Sequence, residues 1–408
     1  MPTGYKHGVY TSEIPTSILP SRTVDSAVVF AVGTAAVHTL AEDKARPVNV
    51  PQLFYSYDEA VQAMGWDADH FGDYSLQELI YSHFALYSGA PVVCVNVFDP
   101  AKHKSEVADE SLTFGMSALD KDTARLAHGG VSAVELKDEL GETTYEAGTD
   151  YSVDAVSGLL TRLAEGSIPE GGTVKAGYVY ADVSKVTSED VIGGIDPASG
   201  QGTGLELIDE VFPRFRLVPS IVLAPQFCED PAVAVVMAAK CDGINGLFKA
   251  VCLVDIPSSG DNAVTKYSDV PGYKEQNNLT DGLMVVCWPK VKLGDNVYGL
   301  ATHLAGVMAA TDGDHDGIPY ASPSNKRLDI TSSGYVGADG QWHERWLDLT
   351  KANYLNGQGI YTVSNFDGGM KTWGGRMACY PSNTDPKDAW DSVRRFFNWH
   401  QAQFILTY

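Results

Sequence analysis

The sequence predicts a mixed α/β protein: a layered α/β core domain, interrupted by a β-rich, sandwich- or barrel-like insertion and preceded by an extended N-terminal arm. Three observations predict it. Apolar, β-branched runs alternate with helix-patterned segments over residues 26–98 and again over 201–408, as expected for strands buried on both faces and covered by helices. Between them, over residues 99–200, helical periodicity gives way to short strand-like runs divided by Gly-rich turns. Residues 1–25 place Pro15 and Pro20 in a Ser/Thr-rich stretch with too little apolar surface to pack alone.

In the first core part, Ala27–Val32 reads as a strand and Tyr57–Met64 as a short helix closed by Gly65. Ser75 and Glu78 have capping-box spacing. Leu76, Leu79, Ile80, Phe84 and Tyr87 then share a helix face that ends at Gly89. Pro91–Phe98 is rich in valine and reads as a strand. In the insertion, strands are expected at Ser132–Lys137, Thr143–Ala147, Gly158–Arg162 and Thr173–Tyr180.

The second core part alternates again. Leu205–Phe212 is a helix and Leu217–Ala224 a strand. Asp230 caps a helix with Pro231 in its first turn, running to Lys240. Strands follow at Leu247–Ile256 and Gly282–Trp288, then a helix at Val297–Ala310. A last helix, capped by Asp385 and Pro386, carries an apolar stripe of Trp390, Val393, Phe397 and Phe404, with Arg394 and Arg395 beside it.

Charge narrows the function. Asp and Glu number 52 against 29 Lys and Arg, a net −23 over 408 residues. Such a surface repels phosphate backbones and anionic lipid, so neither nucleic acid nor membrane is an expected partner. About half the excess is local: residues 99–199 hold 19 acidic and 8 basic side chains, a net of −11. The longest apolar run, Ala27–Val37, is too short for the roughly 20 residues of a membrane span. Met1–Tyr10 has no apolar run that would make a secretion leader. Cys94, Cys228, Cys241, Cys252, Cys287 and Cys379 form no CxxC pair, and most lie in strand-like runs, which reads as buried free thiols.

No motif for chemistry completes itself. Asp312, Asp314, Asp316 and Gly317 begin like a calcium loop, but the twelfth position is Pro323, so an acidic, solvated loop is expected. Gly200, Gly202 and Gly204 lack the last glycine of a dinucleotide fingerprint, and no P-loop Lys follows; a hinge is expected. His343 and Glu344 begin HExxH, but Leu347 stands where the second His belongs. There is no GxSxG elbow, and His70, His83, His303 and His400 have no nucleophile at a telling spacing. His83 and His303 lie within helix patterns and read as packed or surface histidines. Asn278–Thr280 matches a glycosylation sequon by chance. No cofactor, metal or catalytic residue is therefore expected.

What remains is architectural. His7–Tyr10 with Glu13, followed by Ala27–Ala35, resembles the N-terminal arm and first strand of the tail sheath proteins of contractile-tailed phages and related contractile injection systems. Phe84–Phe98 is similar to the strand before that family's variable insertion, and Gly148–Asp154 with Gly158 to the insertion itself. Ala305–Ala309, the acidic loop and Ala321–Lys326 form the most specific stretch. Leu355–Asn356, Gly359–Ile360, Trp373–Arg376 and the last helix with Arg394 and Arg395 complete the set.

The resemblance implies a structural subunit without cofactors, polymerising as stacked hexameric rings around a tail tube and contracting to drive the tube through a host envelope. Its implied partners are neighbouring subunits, the tube protein, and baseplate and tail-terminator proteins, in a virion tail assembled in host cytoplasm. It implies that arm residues Gly8, Val9, Tyr10, Glu13, Ile14 and Ile18 extend a neighbour's sheet, and that Arg394 and Arg395 face the tube. It also implies a C-terminal subdomain and arm beyond Tyr408, which this sequence does not contain. The alternative class is a non-sheath α/β binding module or a hydrolase-like enzyme on a similar layout.

Overall fold

Strand β1 (Val29–Gly33) is buried along its whole length, because it sits inside a sheet covered on both faces. A computed structural model describes residues 25–41, 43–89, 91–115 and 122–407 of the chain. After β1 come β2 (Gln52–Phe54), α1 (Tyr57–Met64), α2 (Ser75–Ile80) and β3 (Val92–Asn96). α1 has the predicted bounds: Ser56 accepts from the Glu59 N–H, and Gly65 closes the helix at φ +75°. α2 continues as wide turns through Leu86.

The capping box does not form. Ser75 is the first residue inside α2, and its Oγ accepts from the Thr34 N–H at 3.0 Å. Glu78 lies buried, bonded to other elements. Tertiary partners outcompete the local cap.

The chain then leaves the main sheet. β4 (Lys104–Thr113), β6 (Val131–Asp138), β7 (Thr144–Tyr145) and β10 (Thr173–Ala181) make a sheet ordered β4-β10-β6-β7. β5 (Thr123–Arg125), β8 (Tyr151–Asp154) and β9 (Leu159–Arg162) make a second, ordered β5-β9-β8. Inward residues of both, among them Leu136, Tyr151, Leu160, Val174 and Tyr178, form a core of their own, separate from the main one. Alternate burial along β10 is the mark of a strand with one wet face.

α3 (Ser188–Ile192) and the hairpin β11 (Gly194–Ile195) and β12 (Gly202–Thr203) lead back. The Gly200–Gly204 stretch, expected as a hinge, closes this hairpin. At Gly204, φ is +57° and a Cβ would stand 2.3 Å from the Val191 carbonyl, so the close approach explains the glycine.

The second core part runs α4 (Ile208–Phe215), β13 (Ile221–Leu223), α5 (Pro231–Cys241), β14 (Asp242–Ile244), β15 (Phe248–Lys249), β16 (Val251–Asp255), α6 (Val270–Gln276), β17 (Met284–Cys287), β18 (Lys290–Leu293) and β19 (Asn296–Tyr298). Then follow α7 (Leu300–Gly313), β20 (Ser332–Val336), β21 (Trp342–Glu344), α8 (Leu349–Asn356), β22 (Ile360–Phe366), β23 (Gly369–Trp373), α9 (Pro386–Ala389) and α10 (Asp391–Thr407). The main sheet is ordered β2-β3-β1-β13-β16-β17-β22-β23. Its inner pairs are parallel and its two outer pairs antiparallel. α2 and α7 pack on β1, β13, β16 and β17, α5 on β13 and β16, and α8 on β22. The whole is mixed α/β with several sheets.

Three further expectations need correction. Val297 and Tyr298 belong to β19, not to a helix: they pair with β18, and α7 starts only at Leu300. A short apolar run reads equally as either. Asp312 is not in a solvated loop. α7 runs one turn further than expected and carries Asp312 into the interior at 1% exposure. The stripe expected on the last helix does not face the core: Trp390, just before α10, Phe397 and Phe404 are 38%, 46% and 54% exposed, and Val393 is only half-buried. All six cysteines are free and buried, as their strand-like surroundings suggested.

Candidate interaction surface

In α/β sheets, ligands gather at the carboxyl ends of the strands. Here that region holds Glu78 from α2, Asp255 at the end of β16, Glu229 from the turn after β13 and Lys290 from β18. The first turn of α7 points into it. Glu78 Oε2 accepts from the Gly299 N–H at 3.1 Å, and Asp255 Oδ1 from the Ala301 N–H at 2.9 Å. Gln226 Nε2 donates to Glu78 Oε1 at 2.8 Å, and Lys290 is ion-paired with Glu229. Burial pushes the Glu78 carboxyl up and that of Asp255 up to about 7. For Lys290, burial lowers its basicity, but Glu229, Glu78 and Asp255 outweigh it and raise it. Three carboxylates and one ammonium thus close on a helix N-terminus.

The neighbouring thiol is inert. Cys228 Sγ is 3.9 Å from Asp255 Oδ2, and burial with that carboxylate holds it well above the ordinary thiol range. Burial favours the neutral form of two histidines, pushing His83 down to about 4 and His303 to about 3. His303 Nδ1 lies 2.9 Å from the Tyr87 hydroxyl. His343, in β21, faces Asp339 at 3.1 Å. Among the described residues no cluster of His, Cys, Asp and Glu could hold a metal ion, and no helix is long and apolar enough to cross a membrane.

The β-rich segment meets the elements of the main sheet across a cleft of about 440 Å³, lined by His38 and Tyr74 on one side and His128, Tyr180 and Asp182 on the other. Lys102 reaches Asp190 across 2.6 Å nearby.

The C-terminal helix is the most unusual surface. Its buried residues are Asp391, Arg395, Asn398 and Ala402, spaced for one helix face, and three of the four are polar. Asp391 accepts from the Tyr361 hydroxyl of β22. Asn398 Nδ2 donates to the Ala250 carbonyl at 3.3 Å. The Arg395 guanidinium grips Asp312 with two nitrogens, Nη1 to Oδ1 at 3.1 Å, and its Nη2 lies 3.5 Å from the Ser26 carbonyl. Trp390, Phe397 and Phe404 are left outside. The Arg376 guanidinium lies 3.4 Å over the Trp390 ring and 4.2 Å over Tyr380.

Of the residues flagged in the sequence, Arg395 is therefore turned inward. Arg394 is partly buried, its side chain 15% exposed, 3.7 Å from Asp388 and 5.9 Å over Phe397. Gly8, Val9, Tyr10, Glu13, Ile14 and Ile18 lie outside the described residues. Sequence reasoning missed Asp391, Tyr361 and Ser26, and singled out Asp312 only as part of a solvated acidic loop. One signal was available: polar residues at 391, 395 and 398 share a helix face as regularly as the aromatics do.

Comparison with known proteins bears on this arrangement as a whole. A tail sheath protein of Burkholderia phage BcepMu is 32% identical over 409 residues, spanning 97% of this chain and 79% of the relative. The chain belongs to the tail sheath protein family. A putative prophage major tail sheath protein of Pseudomonas aeruginosa is 29% identical to this sheath-family chain over 206 residues, covering 50% of the chain and 49% of that protein. Two solved sheaths share the family fold with it at 13% identity and TM-score 0.50. One is the contracted sheath complex of the extracellular contractile injection system PVC, covering 100% of this chain and 75% of that one. The other is the contracted helical sheath of the anti-feeding prophage, covering 98% and 75%. A family model described only as a protein of unknown function matches residues 100–188, within the β-rich segment of this sheath protein.

Proposed function

We propose that the chain is the structural subunit of a contractile tail sheath, polymerising as stacked hexameric rings around a tail tube and contracting to drive the tube through a host envelope. The observation that carries this is the identity to a phage tail sheath protein along nearly the whole chain. Contraction is rigid-body rearrangement of subunits joined by flexible links, from a metastable lattice to a lower one. Such a rearrangement needs no cofactor and no catalytic residue.

The division of labour follows the chain. Residues 1–25 are the arm, and Gly8, Val9, Tyr10, Glu13, Ile14 and Ile18 add a strand to a neighbour's sheet. Residues 26–98 and 201–408 are the core that faces the tube. Residues 99–200 are the insertion, whose net charge of −11 over 99–199 suits an outer, solvated skin. Along α10, Arg394 is the cation that meets the tube, together with exposed Trp390, Phe397 and Phe404. Arg395 serves the same helix from its inner face. Baseplate and tail-terminator proteins bound the assembly, which forms in host cytoplasm and ends in the virion tail.

Co-expression with the cognate tube protein tests the reading. Negative-stain microscopy is expected to show sheathed tubes. Bare tubes beside dispersed subunits would overturn it.

A further inference from the structure

Ser26 is the second residue the structure describes, Asp312 ends the central helix α7, and Arg395 sits in the C-terminal helix. The three are far apart in sequence and meet in one buried contact. Ser26 Oγ donates to Asp312 Oδ2 at 2.8 Å. Asp312 receives both terminal nitrogens of Arg395, one of which also lies 3.5 Å from the Ser26 carbonyl. The paired side chains are 3% and 2% exposed, the most buried ion pair among the described residues. Through Asp312 the cation is held near the carbonyl end of α7, where positive charge is favourable.

We propose that Ser26, Asp312 and Arg395 form a mechanical joint that makes the root of the N-terminal arm and the C-terminal helix α10 move as one body. The docking of α10 is the reason. An apolar helix face is held by non-directional burial and can slide or repack. α10 adds to the packing of Trp399, Ala402, Ile405 and Leu406 an inward set of Asp391, Arg395 and Asn398, whose hydrogen bonds to Tyr361, Asp312, Ser26 and Ala250 are directional. A buried guanidinium that loses its carboxylate is left uncompensated, so partial displacement is strongly disfavoured. The joint either holds as a unit or opens as a unit. Because Ser26 bonds both members of the pair, opening at α10 frees the arm root, and a pull on the arm strains α10.

The use of this joint rests on the sheath reading: it would link the tube-facing helix to the arm that reaches the neighbouring subunit, so that release of the tube is felt along the lattice. The joint itself is a property of the single subunit and is tested there. Backbone hydrogen exchange is measured on the full chain alone, for wild type, Arg395→Met and Ser26→Ala. Arg395→Met is expected to raise exchange at least about tenfold both in 391–407 and in the segment leading into β1, with β16 and β17 unchanged. Ser26→Ala creates no unpaired charge, yet removes a hydrogen bond to a carboxylate. It is expected to raise exchange in α10 about tenfold, although Ser26 lies on another segment.

An Arg395→Met effect confined to α10 would overturn the coupling. If Arg395→Met loosens all strands alike, Ser26→Ala decides: faster exchange in α10 upholds the joint, and unchanged exchange there overturns it. None of these readings needs tubes, so a failed joint and a failed sheath assignment are told apart.

Discussion

Replacing Asp255 by Asn should invert part of the pH dependence of stability. Asp255 ends β16, 4% exposed, with Oδ1 on the first turn of α7. Burial pushes its carboxyl up from 3.8 to about 7. The folded chain therefore keeps a proton that the unfolded chain releases. The stability this proton provides is complete below about pH 4, is lost as pH rises to about 7, and is level above that. A gap of about three pH units, at about 1.4 kcal/mol each, makes the loss about 4 kcal/mol. Asn at 255 retains an oxygen for the Ala301 N–H and cannot titrate. Other carboxylates, such as Asp190, held down to about 2 with Lys102 and Thr187 bonded to it against the penalty of burial, act alike in both proteins and cancel in the difference. Urea unfolding of both chains from pH 4 to pH 8 measures it. The variant is expected to gain on wild type with rising pH, by up to about 4 kcal/mol at pH 8. A difference that is flat between pH 5 and 8, or that runs the other way, would refute a proton held on Asp255 at this helix end.

Three further outcomes are expected. At Gly306, in α7, a Cβ would stand 2.3 Å from the Tyr87 ring. Gly306→Ala should cost about 1–3 kcal/mol through overpacking, outweighing alanine's helix preference of about 1 kcal/mol, and should lower the urea midpoint. Phe397→Ser with Phe404→Ser removes two exposed rings of α10; subunit stability should change by no more than about 0.5 kcal/mol per site, while sheathing of tubes is lost in a pelleting assay. Leu160, fully buried in the separate core of the β-rich segment, should cost about 2–5 kcal/mol as alanine. Limited proteolysis of that variant should cut first within 104–181 and leave the main sheet intact.

Much of the fold was legible because local and tertiary signals agreed. The α1 helix reads directly from Ser56 to Gly65, since its cap, its length and its stop lie within one segment. Asp230 and Pro231 do the same for α5. The valine runs of β1, β3, β16 and β17 are buried on both faces, and no polar alternation confuses them. The misread places are those where a distant residue decides. Ser75 spends its hydroxyl on Thr34, 41 positions away, instead of a helix cap. Asp312 looks like part of an acidic loop until Arg395, 83 positions on, is placed against it. The stripe of α10 was seen, but amphipathic logic assigned it to the wrong side. That logic assumes the apolar face is the buried one. In α10 the docked face instead mixes Asp391, Arg395 and Asn398 with Trp399, Ala402, Ile405 and Leu406.

The most direct measurement of the central claim is a cryo-EM reconstruction of the chain assembled with its tube protein. The account predicts rings of six subunits stacked around the tube, with Arg394 and Phe397 of α10 against the tube and residues 99–200 on the outer surface. Subunits that remain monomeric in the presence of polymerised tube, or rings with the β-rich segment turned inward and α10 outward, would contradict it.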